Sequence, residues 1–306
     1  MATLIVGGTG FIGSWVARQL VDAGERVVCF DATPRLDRLG DVASRVAVVR
    51  GDVTAIEEII AAIREHRVRR VVHLAYYLPT PGREELQRAV KINVLGTNNI
   101  FEAARLCEVE RVVYASSVAV YGRQESHGDR PIGEEDPPAP TGVYGASKWY
   151  NDFMAGQYAR VHGLSVAGVR ISVVAGHGRD SGSTLWASAM ASTAALGKPV
   201  HVDFRAEQPV NIIYVQDAAR IFTLLLRAER PRYTTYLSGG YTLTLGELAE
   251  LVREIVPEAR ITFGTAEVPY AYRFDATRLR EEFGFELPDL RQRLREHVEE
   301  ARAQGS

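Results

Sequence analysis

The stretch Leu4-Ile5-Val6-Gly7-Gly8-Thr9-Gly10-Phe11-Ile12-Gly13 constrains this chain more than any other. An apolar run opens directly into glycines, and Phe11, Ile12, Trp15, Val16 and Leu20 then recur at helical spacing. In a strand–turn–helix of this kind each glycine has its own task. One makes the tight turn, one lets the backbone approach a pyrophosphate, and one lets the helix pack closely on the strand. The pyrophosphate then sits on unpaired N–H groups at the positive end of the helix. The acidic residue this arrangement needs about twenty positions on is Asp31, which closes a second apolar run, Val27-Val28-Cys29-Phe30. Gly7, Gly10 and Gly13, with Phe11 and Ile12 between them, are therefore expected to hold a dinucleotide.

Strands and helices alternate beyond this point. Apolar runs at 45–49, 71–75, 111–116 and 166–171 read as strands three to six. A polar helical region follows Asp31, and helical patterns cover 56–63, 84–107 and the segment from 144. Near-continuous apolar strands between helices imply an α/β fold with a doubly wound parallel sheet, covered on both faces. Ligands collect at the carboxyl ends of such strands. Beyond Ala175 the pattern loosens into a glycine-rich loop and a helix at 185–196. A strand at 210–215 feeds a helix at 217–228, a strand at 233–237 is turned by Gly239-Gly240, and a helix spans 245–256. A short strand at 261–263 and helices at 276–283 and 290–303 complete the chain. The expected division is a dinucleotide-binding domain over 1–175, rejoined by 207–240, and a smaller, mainly substrate-binding region over 176–306. The Pro- and charge-rich stretch 123–141 is too long for a simple connection, and is either a surface excursion or an active-site lid.

A formal net charge of −2 over 306 residues offers no electrostatic footprint for nucleic acid. No stretch approaches the roughly eighteen unbroken apolar residues of a membrane span, and no basic leader precedes the glycine loop. Two cysteines cannot form a disulfide framework, and Cys29 and Cys107 read as buried thiols of a cytoplasmic protein. No cluster of His, Cys or carboxylates has metal-ligand spacing, so no metal is expected.

Tyr144-Gly145-Ala146-Ser147-Lys148 sets a tyrosine and a lysine four apart on one helix face, about 5–6 Å apart at Cβ. A nearby ammonium favours the phenolate and lowers a tyrosine pKa from about 10. A phenol so tuned takes a proton from an alcohol, or returns one to a carbonyl oxygen, near neutral pH. Alone, Tyr-x-x-x-Lys is an ordinary solvated face. It gains meaning behind a dinucleotide fold and after a strand ending Ser116-Ser117, where a hydroxyl can hydrogen-bond the same substrate oxygen. His73 reads as a satisfied strand-end histidine.

Gly7-x-x-Gly10-x-x-Gly13, Asp31, Gly51-Asp52-Val53, His73-Leu74-Ala75, Asn93, Ser116-Ser117-Val118-Ala119-Val120-Tyr121-Gly122 and Tyr144-x-x-x-Lys148 together resemble the extended short-chain dehydrogenase/reductase family. This group, with its Rossmann-type sheet, includes the NAD-dependent epimerases and dehydratases. The likeness extends to Phe274-Asp275-Ala276-Thr277-Arg278 and Glu282-Phe283-Gly284-Phe285. It implies Tyr144 as acid/base, Lys148 as the group that lowers its pKa and binds the nicotinamide ribose, and Ser117 as the polariser of the substrate oxygen. Ser117 is preferred to Ser116 because it stands three before Val120. The resemblance also places Leu74 and Ala75 at the cofactor and Asp52 and Val53 beside the adenine; a turn or helix cap before Ile56 is a second reading of Asp52. Asn93 steadies the fold near the site, or is an ordinary surface amide. Asp31 on the adenosine ribose favours NAD over NADP, because a 2′-phosphate would meet a like charge, an effect that Arg35 offsets in part. Trp149, Tyr150, Phe153 and Met154 give the Tyr144 helix a large apolar surface, part of it facing the sheet. By resemblance that helix and the one at 84–107 pair with a second subunit, which implies a homodimer.

The chain departs from the family pattern in places that bear on the reaction. Val118-Ala119 stand where dehydratases keep Asp-Glu and can move no proton, so dehydration is not expected. Val173, Pro209 and Tyr270-Ala271-Tyr272-Arg273 replace residues with which nucleotide-sugar epimerases contact their substrate. Each charge-assisted hydrogen bond lost there is worth roughly 1.5–3 kcal/mol, although Arg179, Arg205 or Arg273 can substitute. Tyr76-Tyr77 stand where small residues are usual and either narrow the pocket mouth or pack in the core. The expected function is NAD-dependent hydride transfer between nicotinamide and a secondary alcohol or ketone of a small polyhydroxylated or aromatic substrate. The alternative is a sugar or nucleotide-sugar epimerase that retains its NAD. A non-catalytic dinucleotide-binding protein ranks third, since neither Tyr144 nor Lys148 is lost.

Overall fold

The computed structural model describes residues 1–78 and 85–304. In chain order the strands are β1 (Ala2–Val6), β2 (Arg26–Asp31), β3 (Ala47–Arg50), β4 (Val68–His73), β5 (Arg111–Ser117), β6 (Val166–Ile171), β7 (Val173–Ala175), β8 (Val200–Phe204), β9 (Pro209–Tyr214), β10 (Thr235–Leu237), β11 (Tyr241–Thr244) and β12 (Ile261–Ala266). The helices are α1 (Phe11–Asp22), α2 (Ile56–Glu65), α3 (Leu86–Ala89), α4 (Thr97–Leu106), α5 (Val143–His162), α6 (Trp186–Ala195), α7 (Val215–Arg227), α8 (Leu245–Ile255), α9 (Thr277–Phe283) and α10 (Leu290–Gln304).

β1 is an unbroken apolar run buried at every position, as the middle of a covered sheet demands. Seven strands surround and include it in the order β10-β6-β5-β4-β1-β2-β3, every neighbouring pair parallel. Ile5 lies between Cys29 and Val72 in register. The order reverses at β1, so a crevice opens beyond the carboxyl ends of β1 and β4. Val16, Leu20, Ile221, Phe222 and Leu225 of α1 and α7 cover one face. Ile59, Ile63, Phe101 and Ala155 of α2, α4 and α5 cover the other. The doubly wound α/β sheet expected from the sequence is thus the observed one. A third apolar cluster joins α6, α8 and α10 to the β11-β9-β7 sheet and the β12-β8 pair.

Several elements differ from their sequence reading for identifiable reasons. β4 ends at His73, two residues early: Leu74 N–H still donates to the Val6 carbonyl as the last ladder bond to β1, and Ala75 then lies against Gly7. Of the helix expected over 84–107, residue 84 lies outside the described residues. The remainder is interrupted by a π-helical stretch, Val90–Gly96, between α3 and α4. Gly96 is seated there against Val53, and Thr97 Oγ1 donates to the Asn93 carbonyl. Such bulges re-aim side chains, often at functional sites. β7, β8 and β11 were not legible as strands because they are short or alternate with polar residues such as His201, Asp203 and Thr242.

The stretch 123–141 is pinned at three places. Gln124 Oε1 accepts from the Tyr272 and Arg273 amides, Ile132 is fully buried and bridges Phe274, and the Glu134 side chain accepts from Leu237 N–H. It is a brace between the sheet and the C-terminal segment. Cys29 is buried, and its thiol is pushed up to about 12 by burial and then by Asp31. Cys107, expected to be buried, is partly exposed at the end of α4.

Candidate active site

The glycine loop makes a cradle that no other residue type fits. Gly7 has φ +80°, and a Cβ there would stand 2.7 Å from Ala75 N. A Cβ on Gly13 would stand 2.1 Å from the Gly7 carbonyl oxygen. Gly10 is the N-cap of α1, without a side-chain cap, and no acidic residue occupies the first turn. The first N–H groups of α1 are therefore left to an external acceptor, with Phe11 and Ile12 half-buried beside them.

Asp31 ends β2 facing this loop. Its Oδ2 accepts from Thr9 Oγ1 at 2.7 Å and Thr9 N at 3.3 Å, and its Oδ1 accepts from Thr33 N at 3.2 Å. Arg35 donates its backbone N–H to Thr9 Oγ1, but its guanidinium is committed to Asp37 and Asp180. The offset expected from Arg35 is thereby weakened. Asp52 Oδ1 accepts from Thr54 N at 2.8 Å and so makes the turn before α2, whose N-cap is Ala55. Val53 packs on Gly96, and its carbonyl accepts from Asn99. Leu74 and Ala75 lie half-buried just past β4, against the loop.

Ser117, Tyr144 and Lys148 come together at the carboxyl end of β5. The strand alternation turns Ser116 and Ser117 to opposite faces, and Ser116 Oγ is buried without a partner among the described residues. Ser117 accepts from Ala119 N–H at 3.1 Å, and its hydroxyl also reaches the Tyr144 phenol. Lys148 is 1% exposed, donates to the Ala115 carbonyl at 2.5 Å and stands 5.6 Å from the Tyr144 ring centroid. Burial pushes the Lys148 amine well below its ordinary pKa, against the pull of Asp152. Burial also raises the Tyr144 phenol above its ordinary value, with Ser117 and Arg179 acting the other way. The lowering of the phenol expected from Lys148 is not seen: desolvation of the phenolate dominates, and the opposing pulls come from Ser117 and Arg179.

Asn93 is no surface amide. It is fully buried, its side chain closes two hydrogen bonds with the Tyr77 backbone, and its carbonyl accepts from Asn151 at 2.8 Å. His73 shares Thr97 Oγ1 at 3.0 Å and is held neutral, burial and then the Lys148 charge pushing its pKa down to about 3. Of the arginines weighed as anion donors, Arg205 pairs with Glu267 and Arg273 with Asp129. Arg179 instead donates to the Val174 and Ser181 carbonyls and lies in electrostatic reach of Tyr144 and Tyr270, without a carboxylate partner among the described residues. Asn151 carried no sequence signal for the site; Arg179 stood in the sequence only as one of three substitute donors and Tyr270 only as a departure from the family pattern, and long-range packing brings them together beside Tyr144. Val118 and Ala119 open a short 3₁₀ turn, Val118–Tyr121, and neither of the two carries a titratable group.

A family model for the NAD dependent epimerase/dehydratase family matches residues 3–237. The chain belongs to this family. It is an enzyme of the extended short-chain dehydrogenase/reductase type, and NAD, the cofactor of the family, suits the glycine cradle and the acidic end of β2. A UDP-glucose 4-epimerase of Azospirillum brasilense is 33% identical over 176 residues, covering 56% of this chain and 49% of its own length. The match thus spans about half of that relative. In structure, the UDP-glucose 4-epimerase of Thermus thermophilus in complex with NAD aligns with a TM-score of 0.85 at 25% identity, covering 99% of each chain. An L-threonine dehydrogenase of Cupriavidus necator in its holo form aligns with a TM-score of 0.86 at 25% identity over 100% of each chain. Among the described residues no helix is long and apolar enough to cross a membrane.

Proposed function

We propose that this chain transfers a hydride between nicotinamide and a secondary alcohol or ketone of a small substrate, with Tyr144 as acid/base. The observation that carries the reading is the convergence of Ser117, Tyr144 and Lys148 at the carboxyl end of β5, next to the glycine cradle. NAD supplies the hydride acceptor or donor. Tyr144 Oη takes the alcohol proton during oxidation and returns it during reduction. Ser117 Oγ hydrogen-bonds the same substrate oxygen and steadies the charge that develops on it. Lys148, when charged, offsets the cost of the phenolate and offers its remaining N–H groups to the nicotinamide ribose. Gly7, Gly10, Phe11, Ile12 and Gly13 hold the pyrophosphate, Asp31 the adenosine ribose, Asp52 and Val53 the adenine, and Leu74 and Ala75 the wall between; Asn93 fixes that wall through Tyr77.

The second reading is an epimerase that keeps its NAD, favoured by the likeness to UDP-glucose 4-epimerases. Against it stand Val173, Pro209 and Tyr270, none of which supplies a charged donor to a diphosphate. The fate of the cofactor decides between the two. Net NADH formation with secondary alcohols supports the dehydrogenase, whereas inversion of UDP-glucose with no net NADH supports the epimerase.

The division into a dinucleotide-binding domain over 1–175 with 207–240, and a substrate-binding remainder of 176–306, follows the same reading. So does a homodimer through α5 and α4. Trp149 and Phe153 are 46% and 57% exposed on the outer side of α5, and only Met154 of the expected apolar set packs inward. Leu95 and Leu106 are exposed on the neighbouring helical segment. Both thiols are free, which suits a cytoplasmic enzyme.

A further inference from the structure

Lys148 has an unusual environment for a buried cation. Its Nζ donates to the Ala115 carbonyl and stands 3.0 Å from the centroid of the Tyr76 ring. The Asp152 carboxylate one turn along α5 is already occupied, Oδ1 by Tyr114 Oη at 2.8 Å and Oδ2 by Arg170 Nε at 2.8 Å. His73, which faces the amine from β4, is neutral, and Tyr144 faces it from α5. An ammonium so placed keeps its charge only if something replaces the water it has lost.

Tyr76 is held in position for that task. Its hydroxyl donates to Ser147 Oγ at 3.2 Å and accepts from Asn151 Nδ2 at 3.0 Å. Asn151 is itself tied to the Asn93 carbonyl and Thr97 Oγ1. The ring cannot leave the amine without opening this buried network. It also meets the Tyr144 ring edge-on, with centroids 5.6 Å apart and planes at 86°. One aromatic side chain therefore touches both members of the acid/base pair.

We propose that the face of Tyr76 acts as the counter-charge of Lys148, its π-electrons keeping the ammonium ionised and in register with Tyr144. Tyr76 is on this view a positioning residue of the reaction, and the proposal rests on the reading of Tyr144 and Lys148 as an acid/base pair. A small residue at 76 leaves the amine with one carbonyl and an engaged carboxylate. The negative face of a phenol ring attracts a desolvated ammonium strongly enough to move its titration by about one pH unit.

The chain has only three lysines, Lys91, Lys148 and Lys198, and the other two are exposed. Titration of protein labelled at lysine Cε, followed by NMR, therefore reads Lys148 directly, with two internal controls and no substrate. In Tyr76→Leu the Lys148 midpoint falls by about one pH unit, while Tyr76→Phe, which keeps the ring, restores most of it. Phenylalanines of increasing fluorine content at position 76 keep the shape and weaken the ring face, so the midpoint falls stepwise along the series. That series also serves if Tyr76→Leu does not fold. A midpoint that is flat across the fluorinated series, or that rises in Tyr76→Leu, overturns the proposal. Neither result depends on turnover, so the hydride-transfer reading stands or falls separately, on NADH formation.

Discussion

Gly7 and Ala75 lie backbone against backbone, so close that a methyl group on Gly7 would stand 2.7 Å from the Ala75 amide nitrogen. This contact brings the glycine loop onto the end of β4 and shapes the floor of the cleft. Gly7→Ala adds both that clash and the strain of a side chain at φ +80°, the strain alone costing roughly 1–2 kcal/mol. Gly24 separates the two costs, because it has φ +76° but, among the described residues, nothing within 4 Å of where an added methyl group would sit. Gly24→Ala should lower the melting temperature by a few degrees and leave NADH affinity intact. Gly7→Ala should lower it further and weaken NADH binding about tenfold or more by fluorescence titration. Equal NADH affinity in the two variants would mean the loop does not hold the cofactor.

Tyr144→Phe removes one hydroxyl from a half-buried ring and nothing from the cradle. Loss of a positioned acid/base typically costs about 10²–10⁴ in rate. Turnover should fall by that factor while NADH affinity stays within about threefold. Ser117→Ala should cost about 10²-fold or somewhat less, since a substrate-oxygen donor is lost but the proton carrier remains. Activity retained in Tyr144→Phe, with NADH binding lost instead, would reassign the residue to the cofactor.

The pH dependence follows from the charges around the same phenol. Burial raises the Tyr144 pKa, and Arg179 is one of two groups that pull it down. In the oxidation direction the base form is the active one, so activity is lost as pH falls through the phenol pKa. Removing the guanidinium must raise that pKa. In Arg179→Gln the acid limb of the kcat/KM profile should therefore move to higher pH, by about half a pH unit or more. Arg179→Lys should move it less. A limb that moves to lower pH in Arg179→Gln, or stays in place, would remove Arg179 from the site.

The parts legible in sequence were those set by local chemistry. The run into Gly7, Gly10 and Gly13, the acidic end of β2 at Asp31 and the four-residue interval from Tyr144 to Lys148 each follow from backbone geometry and helical period. Their observed placement matches that expectation. Elements set by distant packing were not legible. The early end of β4 falls where Ala75 meets Gly7, and the π stretch at Val90–Gly96 closes at Gly96, where it meets Val53; neither contact is between neighbours in the chain. Tyr76 was visible as an unusual aromatic, but its choice between mouth and core is made by Ser147, Asn151 and Lys148, which lie some seventy positions on. Arg179 could be told from Arg205 and Arg273 only once Glu267 and Asp129 were seen to occupy the other two.

Cofactor choice rests on a single carboxylate. Asp31 is oriented by Thr9 and Thr33, and the guanidinium of Arg35, the nearest candidate for a 2′-phosphate, is turned to Asp37 and Asp180. Asp31→Ser keeps an oxygen near Thr9 but removes the like charge that a 2′-phosphate would meet. The ratio of NAD to NADP affinity should fall by about tenfold or more, through weaker NAD binding and stronger NADP binding together. Adding Asp37→Ser removes the closer of the two carboxylates that hold Arg35, leaving the longer contact to Asp180, and should lower the ratio again. An unchanged ratio in both variants would place the adenosine ribose elsewhere.

The outer side of α5 is the last consequence that sequence and structure share. Trp149 and Phe153 are one turn apart and exposed, while Lys148, Asn151 and Asp152, on the inner side, are buried in the site. A charge on the outer side alters association without touching the catalytic residues. Burying two large aromatics contributes roughly 2–3 kcal/mol each to an interface, so a single charge in their midst should raise the dimer dissociation constant at least about a hundredfold. Light scattering at micromolar concentration should give a dimer for the unaltered chain and a monomer for Phe153→Glu. If α5 pairs across the interface, the inner residues are also steadied by it, and the monomer should lose activity in step with dissociation. A monomeric unaltered chain would refute the dimer, and a dimeric Phe153→Glu would move the interface off this helix.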